Sequence, residues 1–187
     1  MIRILTVAVF AFITLQSVHA APQAYRLNAD RSQVGFSYDL QGNLKTGTMT
    51  VQSADMRLDL ENIPNSTVSV TLDANSAKAG FFFVTHAMKG PSVLNTAQYP
   101  TIQFRSTRVE GSLQGATITG DLTVRGVTRK VMLKAGLFRQ QGTAETSRER
   151  LTVLLTGAIG RKAFGADGFP EFVGDTIGLR IIAQIEK

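Results

Sequence analysis

The sequence predicts an all-β fold of about eight antiparallel strands. Three observations carry this expectation. Apolar and polar residues alternate with period two in one short stretch after another, the mark of strands with one buried face. Turn chemistry separates the stretches, at Gln41-Gly42-Asn43, Pro64 and Arg125-Gly126. No stretch reads as a long helix. Such spacing fits a sandwich or a closed barrel. Closure removes exposed strand edges, and an eight-stranded barrel has room for side chains alone or for one small ligand.

Residues 1–20 of the 187-residue chain read as a secretory leader. Arg3 and the amino terminus form a short positive end, residues 4–15 are an apolar run broken by Thr6 and Thr14, and Val18-His19-Ala20 offers small residues where a signal peptidase reads. The run is too short to span a bilayer comfortably, which needs roughly 20 apolar residues. Cleavage after Ala20 is expected, leaving residues 21–187 as one domain.

The strands follow in order. Residues 24–27 are a short extended segment. Val34, Phe36, Tyr38 and Leu40 then alternate with Gly35, Ser37 and Asp39, giving a half-buried strand with large inner side chains. In 48–60, Met49 and Val51, then Met56, Leu58 and Leu60, form the apolar series, and Ser53-Ala54-Asp55 marks a bend or bulge. Val68, Val70 and Leu72 define the next strand, and Ile102 and Phe104 the one after. The clearest hairpin is 120–134. Leu122 and Val124 continue the apolar face begun by Ile118, Arg125-Gly126 turns the chain, and Val131 and Leu133 resume it against Lys130, Met132 and Lys134. The last strands are 151–159, with Leu151, Val153, Leu155 and Ile159 on one side, and 177–186, with Ile177, Leu179, Ile181, Ala183 and Ile185.

Two segments break the pattern. Residues 76–100 form a connection long enough to be functional or to carry short helices. Residues 160–174 place aromatics among glycines. Together they hold Phe81, Phe82, Phe83, Phe164, Phe169 and Phe172, six of the 11 phenylalanines. Such loops either plug one end of the barrel as core or line an apolar mouth.

Composition excludes several chemistries. Cysteine is absent, so there is no thiolate nucleophile and no disulfide framework, which suits an oxidising compartment. His86 is the one histidine beyond the leader, and a Ser-His-Asp site would have to use it. No nucleophile elbow, phosphate-cradling glycine spacing or zinc-ligand spacing occurs, so neither catalytic nor metal residues are assigned and no enzyme is expected. The net charge of +6 is dispersed rather than concentrated with aromatics, which argues against nucleic acid. A basic surface of this kind tolerates anionic lipid headgroups, so transient contact with a membrane surface is expected. A homodimer is the default for oligomeric state. An outer-membrane barrel is disfavoured, since the outward faces carry Thr, Lys, Asp and Arg and tryptophan is absent.

Several motifs in order carry a family resemblance. They are Leu94-Asn95-Thr96-Ala97-Gln98-Tyr99-Pro100 leading into Ile102-Gln103-Phe104, then Gly120-Asp121-Leu122-Thr123-Val124-Arg125-Gly126-Val127-Thr128. Val34-Gly35-Phe36, Arg161-Lys162-Ala163-Phe164-Gly165 and Val173-Gly174-Asp175 add support. From Tyr25 to Glu186 the chain resembles the YceI-like family, secreted lipocalin-like proteins associated with polyisoprenoid binding. The resemblance implies an eight-stranded antiparallel lipocalin-like barrel with short helical loop segments, a long apolar cavity, a periplasmic location, and an isoprenoid or quinone-type lipid as ligand with no other cofactor. The chain departs from the family at Asn28-Ala29-Asp30-Arg31-Ser32, where members often carry His-Ser after an Asp. It departs again at 84–94, where a charged group is replaced by a stretch preceded by three phenylalanines, leaving a more apolar mouth.

The expected function is a binding or carrier protein for a long apolar ligand. Its candidate binding residues are Phe36, Tyr38 and Phe104 from strands, Phe81, Phe82, Phe83, Met88 and Leu94 from the long connection, and Phe164 from the later loop. The alternative is a periplasmic stress-related protein with a packed barrel that acts through its surface. A continuous cavity or a filled core distinguishes the two.

Overall fold

Strand pairing closes the sheet on itself. The structure, a computed structural model, describes residues 21–187 except 141, 143 and 145. Its strands are β1 (Gln23–Leu27), β2 (Gln33–Leu40), β3 (Asn43–Leu58), β4 (Thr67–Lys78), β5 (Thr101–Ser112), β6 (Gly115–Val124), β7 (Val127–Arg139), β8 (Arg150–Gly160) and β9 (Val173–Glu186). One short helix, α1 (Phe82–Lys89), follows β4. The ring runs β3-β2-β9-β8-β7-β6-β5-β4 and returns to β3, with every pair antiparallel.

Nine strands therefore fill eight positions. β1 pairs with the far end of β3 and with the last residues of β9, and β2 pairs with the same two strands farther along. A 3-10 turn at Ala29–Arg31, capped by the Asn28 side chain, joins the two in tandem. The architecture is the closed antiparallel barrel rather than the sandwich.

Several strands are longer than hydropathy indicates. β3 starts at Asn43 and β4 runs to Lys78, because ladder bonds to neighbours hold polar and glycine-rich ends that carry no apolar rhythm. Irregularities are bridged by serines. The Ser76 hydroxyl accepts the Thr50 N–H at 2.8 Å where β3 and β4 shift register, and the Ser106 hydroxyl accepts the Val68 N–H at 2.9 Å beside the β5 shift. A further shift between Val51 and Ser53 lies at the expected bend.

The hairpin β6–β7 has the anticipated register, with Val124 opposite Val127 and a two-residue turn. Arg125 and Gly126 both have positive φ, 52° and 72°, the geometry that matches strand twist in tight hairpins. Arg125 is an unusual residue there. Its Nη1 donates to the Pro91 and Val93 carbonyls at 2.7 and 2.9 Å, tying the turn to the α1–β5 connection.

The buried apolar residues form two groups. Ala74, Ile102, Leu122, Val124, Val131 and Phe164 pack near the α1 end. Tyr25, Met56, Leu151, Ala183 and Ile185 pack at the other. Inward-facing glycines shape the space between. A Cβ on Gly120 would stand 2.5 Å from the Phe104 ring and 2.6 Å from the Arg105 carbonyl, and one on Gly47 would collide with the Phe36 ring. Both rings thus lie flat on bare backbone rather than projecting across the lumen. Gly120→Ala is expected to lose about 1–3 kcal/mol of stability, since backbone as well as ring must shift; urea unfolding measures it.

Candidate functional site

The barrel encloses a cavity of about 540 Å³. It runs from Leu60, Ile63 and Leu113 at one end to α1 and the 161–172 loop at the other. The volume is that of an ordinary ligand pocket. Inward positions of β2 to β9 form its wall, and almost all are apolar. The polar side chains that reach the wall are occupied within the protein. Tyr38 Oη donates to the Ala79 carbonyl at 2.7 Å, Ser66 Oγ accepts the Asp59 N–H at 3.0 Å, and Ser112 Oγ donates to Gln114 Oε1 at 2.9 Å. Water in such a space finds few partners, whereas a hydrocarbon loses nothing by entering.

Seven of the nine residues singled out from sequence reach this lumen. Phe36 and Tyr38 lie on β2, Phe104 on β5, Met88 on α1, Leu94 in the connection and Phe164 in the 3-10 turn Arg161–Phe164. Phe83 stands at the rim, touching the cavity while 82% exposed. Phe81 and Phe82 lie outside the wall, 54% and 79% exposed. The triplet is split by helix geometry. α1 turns Val84, Ala87 and Met88 inward at i, i+3 and i+4, which sends Phe82 to the outer side.

The two aromatic loops divide the roles that the sequence left open. Phe164, 2% exposed, is a plug packed in the core with Leu122 and Val124, and Leu94 packs against that group. Phe169 and Phe172, half exposed, line the mouth together with Phe83. The sequence reading noted both but did not choose them as binding residues, nor did it choose Val84 or Ala87.

Arg161 organises this end. It is 5% exposed and touches the lumen, yet it forms no ion pair among the described residues. Its Nε donates to the Gly174 carbonyl at 2.9 Å, Nη2 to Val173 at 2.7 Å, and Nη1 to Ala166 and Gly168 at 2.6 and 2.8 Å. A planar guanidinium suits this task because it is weakly hydrated and presents donors in fixed directions. The loop is also held by Lys162 N–H to Asp175 Oδ1 at 2.9 Å and by Gly168 N–H to the Ser92 carbonyl at 2.8 Å. Nothing in the sequence distinguishes buried Arg161 from exposed Lys162 beside it.

Burial pushes the Tyr38 phenol above its ordinary 10.0, and burial, with Glu149 adding to it and Arg148 opposing, does the same for Tyr25. His86, the candidate for acid–base chemistry, is exposed on α1 and is not on the lumen wall. No cluster of metal-ligating side chains occurs among the described residues.

The YceI-like domain model matches residues 25–185, the whole barrel. The chain belongs to the YceI-like family. Protein YceI of Escherichia coli O157:H7 is 37% identical over 109 residues, covering 57% of this chain and 53% of that protein. The chain thus matches about half the length of such curated relatives. Burkholderia cenocepacia BcnA, a crystal structure, superposes with a TM-score of 0.75 at 18% identity, over 84% of this chain and 98% of the other. A polyisoprenoid binding domain from Saccharophagus degradans does so with a TM-score of 0.61 at 15% identity, over 87% and 98%. At these identities the likeness is one of fold.

Two outcomes are expected at this site. Arg161→Met strands four carbonyls and costs about 3 kcal/mol or more, and Arg161→Lys fails to restore them because one ammonium cannot reach all four; urea unfolding and faster hydrogen exchange across 161–174 report both. The alkaline limb follows from the tyrosines. Since the folded phenols hold their protons above 10.0, the folded state binds more protons than the unfolded chain once pH passes 10. Their contribution is complete below pH 10 and is lost as pH rises through the folded values. Melting temperature is expected to fall above pH 10, and less steeply in Y25F/Y38F.

Proposed function

We propose that this chain is a periplasmic binding or carrier protein for a long apolar lipid, of the polyisoprenoid or quinone-tail kind, held along the barrel lumen. The observation that carries the reading is a continuous cavity whose wall polar groups are already engaged within the protein. Recognition then rests on buried apolar area. Each 100 Å² of tail removed from water contributes about 2.5 kcal/mol, before the cost of ordering the chain. The fold shared with a domain described as polyisoprenoid binding supports the ligand class. The alternative, a packed barrel acting through its surface, calls for a filled interior, and the cavity counts against it.

The periplasmic location rests on the leader read from residues 1–20, which lie outside the described residues, and on the absence of cysteine. None of the lumen residues forms an acid–base pair, and the role assigned is binding rather than turnover.

The deciding measurement is mass spectrometry of organic extracts from protein purified out of a periplasmic fraction. A prenyl or quinone lipid is expected at near-stoichiometric amount. Protein that arrives empty and takes up no such lipid from vesicles contradicts the reading. Ala135→Phe, which fills the lumen from an inward position on β7, is expected to reduce binding of a fluorescent prenyl probe at least about tenfold while leaving the melting temperature equal or higher.

A further inference from the structure

The mouth of the lumen is apolar on its outside as well as its inside. Helix starts ordinarily carry Ser, Thr, Asp or Asn, whose oxygens satisfy the first N–H groups. α1 has Phe81 at that position, extended at φ −117° and ψ 145°, with no side-chain capping bond. Phe82 follows in the first turn, 79% exposed, stacked edge-on against Phe83 at 5.5 Å rather than on the core.

Neighbouring elements extend this face. Leu44, at the start of β3, is 74% exposed, and the adjacent Lys45 holds its Nζ 5.6 Å over the Phe81 ring. The β2–β3 turn is tied to the later loop by the Gln41 N–H to the Phe172 carbonyl at 2.9 Å, which brings Phe169 and Phe172 to the same rim. Large apolar side chains gathered at one rim and turned away from the core mark an interaction site.

We infer that this rim is a docking surface for a phospholipid bilayer, through which the lumen exchanges its lipid with a membrane. Large exposed apolar side chains with a lysine stem laid along them form the pattern of interfacial insertion, and Lys45 stands so over Phe81. Lys78 ends β4 and Lys89 ends α1, on either side of the phenylalanine triplet in the chain. Carboxylates stand at this end as well, among them Asp39, Asp73 and Asp175, which accept the Gly42, Asn75 and Lys162 N–H groups, so the apolar side chains rather than net charge mark the rim. A second copy fits less well, because a copy seated on this rim covers the mouth of the lumen it shares. Phe83, Phe169 and Phe172 belong to both the rim and the lumen wall, so a docked barrel opens into the hydrocarbon layer without passing a tail through water.

The inference rests on the reading of the lumen as a lipid carrier, so docking and binding are measured apart. The protein, as the producing cell processes it, is floated with ligand-free phosphatidylethanolamine–phosphatidylglycerol vesicles and with phosphatidylcholine vesicles. Binding is read separately, by uptake of a fluorescent prenyl probe from solution without membranes. Leu44→Ser combined with Phe82→Ser, both off the lumen wall, is the test variant. Flotation is expected on both vesicles and is reduced at least about tenfold in L44S/F82S, with the circular dichroism spectrum and probe uptake from solution unchanged. The proposal is overturned if the native protein floats with neither vesicle, if the double variant floats like the native protein, or if the native protein is a dimer that the same variant disperses. Failure of probe uptake with flotation intact removes the carrier reading and leaves the docking surface standing.

Discussion

The ladder between β3 and β4 is the joint on which the molecule depends. Seven other pairings make a curved sheet; this one makes it a barrel and leaves no ring strand with a free edge. Closure forces alternate side chains of eight strands into a shared interior, and the interior is then as apolar as the alternation dictates. The joint is not regular. It shifts register twice, and the Ser76 hydroxyl supplies a bond where the ladder shifts. Curvature is concentrated at such places, as it is beside Ser106 on β5, and the remaining ladder stays straight enough to keep its inward rows aligned.

An eight-stranded ring can be filled by its own side chains, so the cavity calls for an explanation beyond closure. The inward glycines supply part of it. Gly47 and Gly120 give Phe36 and Phe104 a floor to lie on, keeping large rings against the wall. The ends supply the rest. The α1 end is held by Arg161, the Arg125 turn and the Gly168–Ser92 bond, all of which fasten loops through backbone carbonyls. One charged group thus stabilises an apolar chamber by binding its rim, because its positive charge is spread over four carbonyl dipoles and needs no carboxylate.

How much of this was legible in the chain depends on the range of the determining contacts. The β6–β7 hairpin was readable because its alternation and its Arg-Gly turn are local. The inward series of β2 was readable for the same reason, and all four of Val34, Phe36, Tyr38 and Leu40 reach the lumen. The polar ends of β3 and β4 were missed because their pairing, not their hydropathy, makes them strands. The triplet at 81–83 was legible as aromatic but not as a helix start, since an eight-residue helix with phenylalanine in its first turn has no clean apolar period. Arg161 was illegible, because its acceptors lie 5 to 13 residues farther along in a loop whose course the sequence does not reveal.

Among the described residues the polar side chains of the lumen wall are engaged within the protein, and this has a consequence for timing. A tail held by area alone has no anchor point, so its release is governed by how much of it must slide back into water. Each methylene carries about 0.8 kcal/mol, which lengthens the dwell by a factor of about four. Tails differing by one isoprene unit then differ in residence by orders of magnitude until the lumen is full, and beyond that length the excess hangs outside and adds nothing. On the carrier role proposed above, the barrel would act as a clock set by hydrocarbon length, with its upper reading fixed by the distance between Leu113 and the phenylalanines at the other end.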